Sequence, residues 1–510
     1  MYLCRCFSKK HRYPQSVQYF QFAPERVYVF NVRAPFRSMW ILGWLALAAG
    51  PIVVALPAGD SVPTPGKIVP KVLCAAHPEQ SYALYLPSAY TTQKRWPIIY
   101  IFDPGARGMV PTQIIKDAAE QYGYILATSN NSKNGPLRPG LEAASAMWDD
   151  THARLSIDHQ RVYLAGFSGG ARLASRIAQT CKCAHGVFLN GAGFGVDSPP
   201  TRDGAFPVFL TTGFLDFNYN ELVRLDGQLS SLGVPHFLHR FDGSHEWAPV
   251  AVWPEALGWM TLQAMKDRRA PRDDAFVAAE QQRFTASSKD LEKSGNLFYA
   301  AAAYRQAAEA FDGLVPIDAL QERATELEKN PWYRTDAKRE RDDLTTQSSL
   351  ETEILRVTGG LRDFVGDRAQ LQQQASQLIA DLRNRCLHEK REEKKRALER
   401  ARRGIFASMI ETGEPLIDQK RFSVAQAYLE LAVNARPEIP WPHLSLARCF
   451  LIMGKKPEAL ESLQRAKEAG LKAQDLADLE TEIPEFAALA VDPGFQKLVE
   501  GKQPSRIEAP

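Results

Sequence analysis

The stretch Arg161-Val-Tyr-Leu-Ala165-Gly166-Phe167-Ser168-Gly169-Gly170-Ala171-Arg-Leu-Ala-Ser-Arg-Ile-Ala-Gln179 changes character at its centre. After Arg161, the next four residues are β-branched, aromatic and aliphatic, as in a buried strand. Its last nine space apolar residues three and four apart, as in a helix. Between them Gly166-Phe167-Ser168-Gly169-Gly170 forms a sharp strand-to-helix turn. Side chains on both flanks of such a turn would collide with neighbouring backbone, so glycines are needed there. The turn is expected to present the Ser168 hydroxyl at the N-terminus of a helix, where developing negative charge is favoured.

Working outward, short apolar runs alternate with helical spacing from 80 to 265. Tyr82–Leu86, Ile98–Phe102, Tyr124–Thr128, Val162–Ala165, Val187–Asn190, Val208–Thr212 and Phe237–Phe241 read as strands. Thr112–Tyr122, Glu142–Leu155, Gly170–Thr180 and Tyr219–Leu232 read as helices between them. This alternation predicts an α/β domain with a mostly parallel sheet covered on both faces. Residues 57–79, rich in Pro and Gly, read as a linker and approach to that domain.

A serine nucleophile needs a base, and the base an orienting acid. Asp216 follows the strand VFLTTG, and His245 stands in Asp242-Gly-Ser-His245-Glu-Trp247 after the next strand. Both fall at the carboxyl ends of parallel strands, on the edge that carries Ser168, where open α/β sheets place their sites. The rivals are placed less well. Asp226 lies within a helix, His236 and His239 lie before or within a strand, and Asp242 precedes the histidine too closely. The order Ser, Asp, His is that of α/β-hydrolases. An oxyanion hole needs two N–H groups aimed at one point. Gly169 is expected to give one. The other is expected from the loop Asp103-Pro104-Gly105-Ala106-Arg107-Gly108, from Gly105 or Ala106, because Pro104 has no N–H.

On these residues the segment 80–265 resembles compact α/β-hydrolase esterases related to polyhydroxybutyrate depolymerases and feruloyl esterases. The opening SYALYLPSAY, Asp158-His-Gln-Arg161-Val-Tyr-Leu before the Gly-Phe-Ser168-Gly-Gly turn, and Gly243-Ser-His245-Glu-Trp247 carry it. The resemblance implies nucleophile Ser168, acid Asp216 and base His245 acting on a carboxylic ester through an acyl-enzyme, with no metal or cofactor. The family usually has His-Gly after the oxyanion strand, where Asp103-Pro104 stands here. With 48 positions from Ser168 to Asp216 and 29 on to His245, no large cap insertion fits between them. A serine peptidase using the same triad stays open, as does an interaction protein built on an inactive hydrolase-like domain.

After about residue 266 the strand signal stops, and residues rich in Ala, Leu, Glu, Lys, Arg and Gln predict helix almost throughout. The charged stretch Leu382–Arg403 carries both signs and reads as a solvated helix. Ala425, Leu429 and Ala432 recur as Ala459, Leu463 and Ala466, shifted by 34 residues, and the pattern appears once more at Ala300, Tyr304 and Ala307. This resembles tetratricopeptide repeats over 405–473 and implies a surface for a protein partner. The expected organisation is therefore a helical region at 266–404, repeats at 405–473, and a cap and tail at 474–510 with a short helix after Asp492.

The 510 residues carry 62 basic and 59 acidic side chains, a net charge of +3. Seven of the basic ones (Arg5, Lys9, Lys10, Arg12, Arg26, Arg33 and Arg37) and a single acid, Glu25, precede residue 57. That leaves 55 against 58, or −3, for the rest. Nucleic-acid binding is excluded as a reading on that balance. The basic leader precedes the uncharged apolar run Met39–Leu56, eighteen residues long, a length between a signal-peptide core and a membrane anchor. Either way the body of the chain is expected outside the cytoplasm, periplasmic, secreted or anchored, and the membrane is touched only through the leader. The true start of translation is open between Met1 and Met39. Five cysteines follow the leader. Cys181 and Cys183 are expected to be too close to pair with each other, and a link from Cys74 to one of them is left open.

Overall fold

A computed structural model describes residues 63–363 and 367–499. The leader and its apolar run lie outside the described residues. Among those described, no helix is long and apolar enough to cross a membrane.

Eight strands form one sheet: β1 (Ile68–Cys74), β2 (His77–Tyr85), β3 (Trp96–Phe102), β4 (Ile125–Ser129), β5 (Ile157–Phe167), β6 (Val187–Asn190), β7 (Val208–Gly213) and β8 (His236–Phe241). Their order is β1-β2-β4-β3-β5-β6-β7-β8. The β1–β2 and β2–β4 pairings are antiparallel, and all others are parallel. Every residue of β3, β4, β6 and β7 is buried, as befits strands covered on both faces. Helices α1 (Met109–Tyr122), α2 (Leu137–Arg154), α3 (Gly169–Cys181), α4 (Tyr219–Leu232) and α5 (Trp253–Lys266) connect and cover them. The fold is that of an α/β-hydrolase.

In α3, Leu173, Ala174, Ile177 and Ala178 recur at helical spacing and bury one face, which fixes the helix against the sheet. On one sheet face Ile98, Tyr100, Leu164, Leu189 and Leu210 share a core with α3 residues such as Ile177. On the other, Phe209 stacks on Phe237 at 5.2 Å between ring centroids, and Phe237 meets Phe284 edge-on.

That last contact corrects the expected boundary at 266. Phe284 belongs to α6 (Asp274–Lys293), and α6 packs through it against Phe311 of α7 (Leu297–Phe311) in the same core. The first compact unit therefore runs to Thr345. It takes in α8 (Asp318–Lys329) and the start of α9 (Pro331–Asp363). α5 covers Phe209 and Phe237 through Trp259, and α6 adds Phe284 on Phe237, so these helices belong to the same core.

The expected linker also needs revision. β1 lies within 57–79, and β2 begins before residue 80. Val72 and Cys74 of β1 are buried, while Pro70 and Lys71 face out on this edge strand, where the pairing register shifts between Val69 and Val72. Cys181 and Cys183 do pair, against expectation. Lys182 between them takes the left-handed conformation at φ 52°, which turns the chain tightly enough to bring the two Cα atoms to 5.1 Å. Cys74 is free and buried.

The second unit begins at Thr346 and is helical throughout its described part. It contains α10 (Arg368–His388), α11 (Glu392–Asp418), α12 (Phe422–Ala435), α13 (Pro440–Ile452), α14 (Lys456–Glu468), α15 (Ala473–Glu482) and α16 (Pro493–Val499). Ala425, Leu429 and Ala432 of α12 and Ala459, Leu463 and Ala466 of α14 are all fully buried, so the 34-residue recurrence marks equivalent inward faces. The third occurrence, Ala300, Tyr304 and Ala307, is buried too, but within the first unit.

Candidate active site

Ser168 sits between β5 and α3 with φ 53° and ψ −121°, a conformation an L-residue holds only when its surroundings enforce it. A Cβ on Gly166 would lie 2.1 Å from the Gly170 carbonyl oxygen, and one on Gly170 would lie 2.0 Å from that of Phe102. The two glycines of the turn are therefore required by backbone on both sides, as the sequence suggests. The turn is latched from β6: Ser168 N–H donates to the Asn190 carbonyl at 2.9 Å, and Asn190 Nδ2 donates to the Gly166 carbonyl at 3.2 Å. Thr211 Oγ1 on β7 donates to Asn190 Oδ1 at 2.7 Å, holding that amide in place. Sequence reading missed Asn190 and Thr211, since neither stands at a diagnostic spacing.

The three expected side chains meet. His245 Nε2 stands 2.9 Å from Ser168 Oγ, and its Nδ1 stands 2.8 Å from Asp216 Oδ1. All three are buried, Asp216 completely. The loops carrying the acid and the base are stitched together, because Phe214 N–H donates to the Phe241 carbonyl and Leu215 N–H to the Gly243 carbonyl, each at 2.9 Å. Two rings hold the imidazole, Phe217 at 4.1 Å and Phe167 at 4.7 Å between centroids, leaving its nitrogens one direction each. Burial pushes the Asp216 carboxyl above its ordinary value, opposed by His245 and by the Asn218 N–H that donates to Oδ1 at 2.8 Å. A hydroxyl, an imidazole and a carboxylate in this line can pass a proton from Oγ to Nε2, with the carboxylate able to fix the tautomer and steady an imidazolium.

Neither rival histidine joins them. His236 bonds to Ser230 and the Val234 carbonyl, and His239 Nδ1 to Glu255.

The oxyanion loop departs from expectation. Gly105 N–H donates to Asp103 Oδ1 at 2.8 Å, and Ala106 N–H donates to the Asp103 carbonyl at 3.1 Å. Both candidate donors are engaged inside their own loop. The reason is Asp103, which is fully buried at the end of β3. Its Oδ1 also accepts from Arg107 Nε, and its Oδ2 accepts from an Arg107 terminal nitrogen and from Trp247 Nε1, all at 2.9 Å. Asp103 is thus a clamp. It ties the β3 loop to the segment that carries His245, two residues before Trp247. Gly169 opens α3, one residue before the expected start, and its N–H has no helical carbonyl to reach.

Beside the turn lies a pocket of about 260 Å³, lined among others by Asn134, Leu137, Gly169, Leu173 and Val196. Arg172 on its wall is fixed by paired bonds to Glu221 at 2.6 Å and by a bond to the Phe194 carbonyl at 2.7 Å.

No family model matches the chain. No curated protein matches it either. Solved structures do. The chain is similar to the S-formylglutathione hydrolase FrmB of Staphylococcus aureus, with 15% identity over 36% of this chain and 90% of that one and a TM-score of 0.30. It is similar to the esterase of the archaeon Pyrobaculum calidifontis, with 12% identity over 39% and 87% and a TM-score of 0.32. A third is Est1E from Butyrivibrio proteoclasticus, with 13% identity over 37% and 95% and a TM-score of 0.30.

Proposed function

We propose that the chain is a serine hydrolase of carboxylic esters working through an acyl-enzyme. The observation that carries this reading is the unbroken line from Asp216 Oδ1 through His245 to Ser168 Oγ, at 2.8 and 2.9 Å, on a turn whose two glycines are required by close-lying backbone. Ser168 Oγ attacks the ester carbonyl carbon and His245 Nε2 takes its proton. The tetrahedral intermediate collapses as the alcohol leaves with that proton. Water then attacks the acyl-serine, passes a proton to Nε2, and the acid departs as Oγ recovers it. The pocket next to Gly169, with Leu137, Leu173 and Val196 on its wall, offers an apolar lodging for one side of the ester.

The leader supports export as a further proposal. Its basic residues and apolar run direct the catalytic unit out of the cytoplasm, and N-terminal sequencing of protein recovered from the cell envelope tests this. The second unit, packed through the inward faces of α12 and α14, is proposed as a scaffold whose outer surface takes a protein partner.

The test of the activity is hydrolysis of p-nitrophenyl esters of graded acyl length by the full chain and by Ser168→Ala. Acyl-length-dependent turnover that disappears in the variant supports the reading. Equal background rates in both refute it.

A further inference from the structure

An oxyanion needs two donors, and neither residue expected to give the second has its N–H free. Pro104 lacks an N–H, and those of Gly105 and Ala106 are taken by Asp103. The neighbouring loop after β4 is sewn onto this one. Ser132 Oγ donates to the Asp103 carbonyl at 3.1 Å, Lys133 bridges to Gly105, and Asn134 N–H donates to the Pro104 carbonyl at 2.9 Å. Those bonds carry the Asn134 side chain across the start of α3. Its amide oxygen lies 1.8 Å from where a Cβ on Gly169 would stand, and its nitrogen lies 3.5 Å from that point. Only glycine at 169 leaves room for this amide.

The amide also has an unmet need. Asn134 Oδ1 is buried and has no hydrogen-bond partner, an unfavourable state for a polar atom. A half turn of the amide plane exchanges oxygen and nitrogen without changing the outline of the side chain. It then presents Nδ2–H beside Gly169, at the pocket wall that both residues line.

We propose that Asn134 is the second oxyanion donor, its side-chain amide acting opposite the backbone N–H of Gly169. This rests on the serine-hydrolase reading above. In the resting protein the amide has no acceptor. When Ser168 Oγ adds to the carbonyl carbon, the negative oxygen receives Gly169 N–H on one side and Asn134 Nδ2–H on the other. A side-chain amide thus replaces the backbone donor that Asp103 has taken for its own clamp.

The experiment compares full-length wild type with Asn134→Ala, Asn134→Asp and Ser168→Ala, following p-nitrophenyl acetate hydrolysis and thermal unfolding. Loss of one oxyanion donor lowers kcat by about 10²–10³-fold. Asn134→Ala is expected to show that loss with KM within about threefold and an unfolding midpoint near wild type. Asn134→Asp has the same shape but places a carboxylate where the anion forms, so it is expected to be at least as inactive. A merely structural role would be rescued by this isosteric variant, whereas donation would not be. If wild type hydrolyses the ester only through Ser168 and Asn134→Asp keeps kcat within threefold of it, the proposal is overturned, whatever Asn134→Ala does. If wild type and Ser168→Ala are equally inactive, the hydrolase reading itself falls.

Discussion

Asp103→Asn isolates the clamp that sets this site apart. The native carboxylate accepts four bonds of 2.8–2.9 Å, from Gly105 N–H, twice from Arg107, and from Trp247 Nε1. An asparagine keeps one acceptor. Its NH2 group, at either end, faces a guanidinium nitrogen together with another N–H, so two bonds to a charged acceptor are lost. Each such bond contributes about 1.5–3 kcal/mol. Arg107 is about one-third exposed, and water takes over part of its pairing, which brings the expected loss to about 3 kcal/mol. For a unit of roughly 300 residues the entropy of unfolding near the midpoint is about 0.6 kcal/mol per kelvin, so the midpoint falls by about 5 °C. Tryptophan fluorescence during a thermal ramp reads this directly, because Trp96, Trp148, Trp247, Trp253, Trp259 and Trp332 all belong to the first unit. Arg107→Gln and the double variant complete a cycle, in which the two losses are expected to be strongly non-additive. A midpoint within 1 °C of wild type for Asp103→Asn would show that the carboxylate is not what holds the loop.

Two other perturbations bear on the same unit. Asp216→Asn keeps the shape of the acid but favours the wrong imidazole tautomer, and is expected to lower kcat for p-nitrophenyl acetate by about 10⁴-fold with the fold retained, as near-ultraviolet circular dichroism can check. His152 is held neutral chiefly by burial, which lowers its pKa from 6.5 to about 4, while Trp148 stacks on it at 4.0 Å. Because the unfolded chain binds that proton more readily, stability contributed by neutral His152 is full above pH 6.5 and is lost as the pH falls toward 4, by about 3 kcal/mol. Chemical denaturation of wild type and His152→Gln across that range is expected to show a shallower acid decline in the variant, and parallel declines would contradict the assignment.

The strand-to-helix turn at Ser168 is legible because Gly166 is demanded from within the turn, by the Gly170 carbonyl, and Gly170 by Phe102 at the end of the adjacent strand, a neighbour that the parallel sheet always supplies. Asp216 and His245 are legible because a parallel sheet puts successive strand ends on one edge, so their position after a strand is nearly enough. β1 escapes such reading because Pro70 and Lys71 interrupt its apolar pattern on an edge where one side of the strand needs no partner. The Cys181–Cys183 bond escapes because spacing alone does not reveal the left-handed turn at Lys182. The state of the oxyanion loop depends on Trp247, 144 positions from Asp103, and on a loop after β4 that no motif marks. The limit of the 266 boundary is similar in kind: helical spacing shows that α6 and α7 are helices, but not which sheet face their phenylalanines cover.

The most direct measurement of the central claim is the site of covalent capture by a fluorophosphonate. After brief exposure of the full chain, peptide mass mapping is expected to find one equivalent on Ser168, with capture slowed at least a hundredfold in His245→Ala and absent in Ser168→Ala. Label that fails to attach to Ser168, or that attaches equally fast without His245, would contradict the account.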